Sequence, residues 1–219
     1  TLATSLAIGI GLFFLLPAAI GGWAENATAS TSSGLWLGNL LEGILRLFLL
    51  VGYIWAIGFM PDVKRLFGYH GAEHKTINAY ESGMPLETEQ VKKYSTAHTR
   101  CGTSFLLVVL VLAIVVFTLI GRPELLVGII SRIVLIPVIA AIGYEFIRFS
   151  AGHVNNPLVR SLITPGLWLQ SMTTREPSDK QLEIAISALK KVIEADTGNT
   201  VVDQTVSTSV PPEDSKQYP

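Results

Sequence analysis

Four long runs of apolar residues, separated by polar segments, dominate the hydrophobic pattern of this chain. They extend over residues 2–23, 35–60, 105–120 and 125–149. Because about 20 apolar residues in an α-helix cross a bilayer, the pattern predicts four transmembrane helices, of which the third is short. The first run resembles the core of a signal peptide, but its length and the lack of a preceding basic region favour a membrane span.

Polar residues fill the segment between the second and third runs, residues 61–104. Within it, residues 69–81 and 87–95 are compatible with helices, and the second is the weaker prediction because no capping box opens it. The predicted fold is therefore all-α. It is a polytopic membrane bundle in which residues 1–60 supply two transmembrane helices with a short outer loop, residues 105–150 supply two more, and the polar segment is inserted between them.

After the fourth apolar run the chain becomes polar again, over residues 151–196. Residues 158–172 are too short and too interrupted, by a Pro-Gly pair, to cross a membrane, so they predict a segment at the membrane interface. Ser178 and Gln181 have the spacing of a capping box that opens an amphipathic helix. Residues 197–219 show no hydrophobic period, which predicts a flexible tail.

The distribution of charge predicts the orientation in the membrane. Lysine and arginine are absent from residues 24–34 and concentrated in residues 61–104 and after the fourth run. The positive-inside rule then places those basic segments and both chain ends in the cytoplasm. The net charge is only −1, so the expected partner is the lipid bilayer and not nucleic acid. The chain begins inside an apolar run without an initiator methionine, which indicates a fragment or a processed form.

Three charged residues lie deep within the predicted spans, whereas Glu145 and Arg148 lie near the inner end of the fourth. Glu42 and Arg46 are four residues apart and so share one helix face. Arg132 lies at a matching depth in the fourth run, at about 10 Å by the helical rise. Charges in lipid are costly, so these side chains are expected to face the bundle interior and pair there. A structural ion-pair latch is favoured over a conduction or proton path, which would need polar groups at successive depths.

A histidine-rich stretch supplies the candidate chemistry. His70 and His74 are one helical turn apart, the spacing with which two imidazoles bind one metal ion. Glu73 lies beside that face and is the candidate general base. The order H-x-x-E-H is that of the inverted zinc peptidases, although Gly71 inside it weakens the helix. The alternative is a polar interfacial loop whose side chains bond only backbone and water.

A catalytic zinc needs a third protein ligand. His98, Cys101 and Glu145 are the candidates, because all three are predicted near the cytoplasmic interface. Cys101 has two further interpretations. A thiol near a helix N-terminus and close to Arg100 can act as a nucleophile, whereas a lone cysteine is more often a small buried hydrophobic residue. As the only cysteine, it excludes an internal disulfide.

Four sequence blocks resemble the YqhQ-like family of bacterial membrane proteins. They are YHGAEHKTINAYE, KYSTAHTRCGTSFL, GYEFIR and PGLWLQSMTTREPSDKQLEIAISALK. The resemblance covers residues 2–193 and implies a metal-dependent protein of the bacterial cytoplasmic membrane. The glycine-rich block that precedes the first span in the family does not occur in these residues. The polar family positions that carry over are His70, Glu73, His74, His98, Arg100, Cys101, Glu145, Thr174, Arg175, Glu176 and Pro177.

Two functions follow from these observations. The leading hypothesis is a divalent metal site, with zinc the expected ion, that catalyses hydrolysis of a peptide, amide or lipid head-group bond. Its rival is a non-catalytic accessory or scaffold subunit of a larger membrane complex, in which residues 173–177 and the following helix contact other membrane protein subunits. A transporter is a weaker third hypothesis, because the spans carry no run of polar residues.

Overall fold

The computed structural model describes residues 2–27, 34–121 and 124–197, and within these ranges the chain is helical and contains no strand. The predicted tail is outside the described residues from position 198 onward. The helices are α1 (Leu2–Ile10), which continues through a π-helical turn (Gly11–Leu15) into α2 (Leu16–Ala27), then α3 (Gly34–Ile57), α4 (Pro61–Glu81), α5 (Thr88–Val91), α6 (Gly102–Ile120), α7 (Leu125–Gly152), α8 (Pro157–Thr173) and α9 (Asp179–Thr197).

The predicted all-α fold with four membrane-crossing helices is confirmed. Within the described residues, four helical stretches are long and apolar enough to cross a membrane: Leu2–Ala24, Leu37–Ile57, Gly102–Ile120 and Leu126–Gly152. The chain forms two compact units. We call the described residues within 1–56 and 100–169 the apolar unit, and the described residues within 57–99 and 170–219 the polar unit.

Small residues allow the helices of the apolar unit to pack closely. A methyl group on Gly43 of α3 would lie 2.7 Å from the Ile114 side chain of α6. On α7, a methyl group on Gly143 would lie 3.0 Å from the Val109 side chain of α6. Close backbone approach at glycine is the usual way in which membrane helices gain van der Waals contact. α6 is therefore packed by α3 and by α7.

The predicted ion pair between Glu42 and Arg46 is confirmed. Glu42 is buried and Arg46 donates to its carboxylate. Arg46 also donates from Nε to the carbonyl oxygen of Phe13, 3.2 Å away in the π-helical turn. The prediction that Arg132 faces the bundle interior is wrong, because this residue is exposed in α7. Its guanidinium carbon lies 5.6 Å from the centre of the Phe117 ring. The arginines thus gain protein contacts in a region where lipid would leave them unsatisfied.

Removing one partner of this ion pair will destabilise the apolar unit. Arg46→Met leaves the buried Glu42 carboxylate without its counter-charge, which is expected to lower the free energy of unfolding by about 3 kcal/mol. Denaturant titration in detergent micelles measures the loss. Because neutralising both partners leaves no buried charge, Arg46→Met combined with Glu42→Gln should recover most of the lost free energy of unfolding. Equal losses in the single and double variants would contradict a latch role.

The helices differ from prediction at three places. α4 begins at Pro61, eight residues before the predicted 69–81 helix, because proline at the first helical position has its backbone angle already set for a helix. The predicted helix over 87–95 is a single turn, Thr88–Val91, and its N-cap residue makes no side-chain cap hydrogen bond.

The segment after the fourth span is continuous and not broken. α8 runs through Pro165 from Pro157 to Thr173. Proline inside a helix removes one hydrogen bond, but tertiary packing holds this helix together. At the next residue, Gly166, a methyl group would lie 3.1 Å from Cβ of Ser104 in the first turn of α6.

The polar unit has its own small core. α4, α5 and α9 contribute Ala72, Ala79, Val91, Leu182 and Ile186, all buried. The predicted capping box opens α9, since the Ser178 backbone N–H donates to Oε1 of Gln181 at 2.9 Å. The amphipathic pattern of α9 therefore correctly predicts both the first turn of this helix and the face that packs on α4.

Candidate metal centre

The two histidines of α4 lie side by side. At 3.6 residues per turn, His70 and His74 are about 40° apart around the helix axis. Their ring centres are 4.4 Å apart. His74 is buried and His70 is half-buried. The helical spacing thus brings two imidazoles together on the face of α4 that is turned toward the rest of the polar unit.

Gly71 allows a second segment to run directly against this face. The Arg175 backbone N–H donates to the carbonyl oxygen of Phe67 at 2.9 Å. A methyl group on Gly71 would lie only 2.1 Å from the Arg175 carbonyl oxygen, well inside van der Waals contact. The glycine that weakens the helix intrinsically is therefore required by the segment that crosses it.

Backbone carbonyls orient both imidazoles. Nδ1 of His70 lies 2.9 Å from the carbonyl oxygen of Thr173, and Nδ1 of His74 lies 2.6 Å from that of Thr96. A carbonyl oxygen can only accept, so both Nδ1 atoms carry the proton. In the neutral ring this leaves Nε2 with its lone pair, the arrangement typical of histidines that bind metal ions.

Cys101 supplies a third donor. His70, His74 and Cys101 each offer one ligand atom, and these atoms lie within 4.8 Å of one another. Cys101 is the N-cap residue of α6, and its buried sulfur accepts a hydrogen bond from the Thr103 backbone N–H at 3.4 Å. Two imidazoles and one thiol are borderline to soft donors of the kind that bind zinc and similar transition metals. This group can hold a metal ion.

The other predicted site residues are not part of this donor group. Glu73 and Arg100 are exposed. Nε2 of His98 lies 3.5 Å from Oε2 of Glu81, and its ring centre is 5.7 Å from that of His74. Glu145 is exposed in α7 and lies 3.7 Å from the Arg148 guanidinium. Among the described residues, neither His98 nor Glu145 belongs to the donor group.

The motif residues Arg175 and Glu176 hold their segment against α4. Arg175 is bound through its backbone, whereas Glu176 places Oε1 2.6 Å from Nζ of Lys75. Lys75 is buried and also donates to the carbonyl oxygen of Lys92 at 2.9 Å. The hydrogen bond that Lys92 donates to the Asp179 carboxylate raises the pKa of Lys92 above its usual value. These contacts fix the segment whose Thr173 carbonyl orients His70.

Sequence reasoning missed three residues around the site. All three are polar: Lys75 and Gln170 are buried, and Asn78 is half-buried. Asn78 could have been found, because positions 70, 74 and 78 follow each other at four-residue spacing on one helix face. Gln170 gave no local signal, since its partner is the backbone of a residue 72 positions away.

The fold and the donor group define the class of this protein: an all-helical protein with four helices able to cross a membrane and a His/Cys group able to hold a metal ion. The family model described as "Protein of unknown function (DUF1385)" matches residues 1–195. The chain belongs to this family.

One curated relative extends the comparison. The chain is 40% identical over 153 residues to "Uncharacterized protein YqhQ" of Bacillus subtilis (strain 168), and the alignment covers 70% of this chain and 48% of the relative. The chain therefore spans about half the length of the curated relative that it matches. No solved structure matches it. The resemblance to a YqhQ-like family is confirmed.

Proposed function

We propose that this protein binds a divalent metal ion, with His70, His74 and Cys101 as the protein ligands. The observation that carries the proposal is the grouping of their donor atoms within 4.8 Å. The hydrogen bonds from both Nδ1 atoms to backbone carbonyls support it, because they direct Nε2 toward a ligand role. From the placement of lysine and arginine, the site faces the cytoplasm of a bacterial cell.

Zinc is the ion that fits best. In tetrahedral zinc sites, bonds of about 2.0–2.1 Å to nitrogen and about 2.3 Å to sulfur place neighbouring donors about 3.3–3.6 Å apart. The donor atoms lie within 4.8 Å of one another, so a gap of up to about 1.5 Å remains, which small rotations about the side-chain bonds can close. Magnesium and calcium, which prefer oxygen ligands, do not suit this set.

Three protein ligands leave one position open, as in catalytic zinc sites. A bound ion would supply Lewis-acid polarisation of a carbonyl or phosphoryl oxygen and a water of lowered pKa. Glu73, about 60° from His70 around the helix axis, would serve as the base that takes a proton from a water at this open position. The reaction class is hydrolysis of a peptide, amide or lipid head-group bond. Because Glu73 is exposed, proton exchange with bulk water is direct.

Metal analysis of the purified full chain in mild detergent tests the proposal. We expect one zinc ion per chain, and a cobalt-substituted form with a thiolate-to-cobalt charge-transfer band. Cys101→Ser should abolish that band and keep the weaker visible cobalt bands of a nitrogen- and oxygen-ligated ion. Absence of stoichiometric metal from the wild type would overturn the metal site.

A second function is an accessory subunit of a larger membrane complex. It is favoured by two apolar side chains on α9, the helix that follows residues 173–177. Ile184 is 46% exposed and Val192 is 56% exposed. Size analysis of the same detergent preparation separates the two proposals. A complex with other subunits in the absence of bound metal supports the accessory role, whereas a metal-bound chain without other subunits supports the metal centre alone.

A further inference from the structure

Two side-chain amides hold the loop that contacts His74. Nδ2 of Asn78 donates to the carbonyl oxygens of Ser95 and Ala97, each at 2.9 Å. Both N–H groups of this amide are used, and the two residues that accept from them lie on either side of Thr96. The carbonyl of Thr96 is the one that accepts from Nδ1 of His74. One helix therefore carries both the imidazole and the amide that fixes the position of its acceptor.

Gln170 secures the same loop one residue further on. The His98 backbone N–H donates to Oε1 of Gln170 at 2.7 Å, and Nε2 of Gln170 donates back to the His98 carbonyl at 2.9 Å. Gln170 is 1% exposed, so water cannot replace these bonds if they are lost. Residues 95–98 are thus fixed at both ends by amides, with the Thr96 carbonyl between them.

We propose that Asn78 is a positioning residue for the metal ligand His74. The inference rests on the proposed function, since it assigns His74 to a metal ion. Asn78 acts through the loop: it holds the Thr96 carbonyl at hydrogen-bond distance from Nδ1, and this bond fixes the tautomer in which Nε2 is free of a proton. It also sets the rotation of the ring toward the other two donors.

Asn78→Asp is the sharpest test because it replaces only one heavy atom, the amide nitrogen Nδ2, by a carboxylate oxygen. The carboxylate cannot donate, and it faces two carbonyl oxygens that it repels. The loop is expected to shift and the Thr96 carbonyl with it. Loss of a residue that orients a metal-bound histidine typically weakens metal binding about 10–100-fold. Zinc affinity of the full chain, measured by competition with a chromophoric chelator, should fall within that range.

Asn155→Asp is the matched control. It makes the same chemical change at an exposed position after α7, and it should leave zinc affinity unchanged. Thermal unfolding in detergent reports whether each variant is folded. If Asn78→Asp does not fold, Asn78→Ala removes the donors without adding charge and is measured in its place.

The tautomer of His74 gives a readout that needs no metal. Nitrogen NMR of ¹⁵N-histidine-labelled protein, assigned with His74→Ala, should show the Nδ1–H form in the wild type and a mixture of tautomers in Asn78→Asp. A wild type that binds zinc, together with an Asn78→Asp variant of unchanged affinity and tautomer, overturns the positioning role and leaves the metal site standing. A wild type without zinc overturns both.

Discussion

Replacing His74 by alanine will remove stoichiometric metal from this protein. The imidazole is one of three grouped donors, and the other two cannot close a tetrahedral site alone. Apparent binding free energies of about 10–16 kcal/mol for structural zinc sites are shared among four ligands, so one ligand accounts for about 2.5–4 kcal/mol. At about 1.4 kcal/mol per factor of ten, zinc affinity should fall about 60- to 700-fold. Metal analysis after dialysis against a weak chelator measures the loss.

Glu73→Gln is the matched control for that experiment. It changes the neighbouring residue of the same helix, which is exposed and outside the donor group. The variant should keep the zinc content of the wild type, and once a substrate is found it should lose hydrolytic activity. If His74→Ala retains full metal content, or Glu73→Gln loses metal to the same degree, the assignment of ligands is wrong.

Gly71→Ala will destabilise the polar unit. Alanine in place of a helical glycine normally stabilises a helix, by about 0.5–1 kcal/mol. Here the added methyl group would meet the Arg175 carbonyl oxygen at 2.1 Å. That atom belongs to the backbone, so it cannot swing away as a side chain can, and the whole segment must move. Overpacking of this kind costs about 3 kcal/mol. Thermal unfolding of the full chain in detergent should show a lower midpoint.

Movement of that segment also carries a consequence for the site. Thr173, whose carbonyl accepts from Nδ1 of His70, lies two residues before Arg175. Gly71→Ala is therefore expected to weaken metal binding as well as folding. Gly52→Ala is the control, because a methyl group there meets nothing within 4 Å, and it should be neutral or slightly stabilising. Equal stability of Gly71→Ala and the wild type would contradict the close packing of residues 173–177 on α4.

The hydrophobic pattern predicts the helices of this protein because such a pattern is a local property of the sequence. The four spans follow from the length of apolar runs, and the first turn of α9 follows from Ser178 and Gln181. The Glu42–Arg46 pair was predictable because four residues make one helical turn. Local patterns failed where packing decides the outcome. α8 continues through Pro165, and one turn of α5 replaces a longer predicted helix.

In the candidate site, too, some features follow from local sequence and others only from the tertiary structure. The sequence by itself determined that His70 and His74 share a helix face, since their spacing is fixed by the helical repeat. It left three residues open as the third donor, and only the tertiary structure grouped Cys101 with the histidines. The tertiary structure also decided which carbonyls orient the rings and why Gly71 is needed. Those contacts join residues 22 to 104 positions apart, and no local pattern encodes which distant backbone atom a folded chain brings to a given side chain.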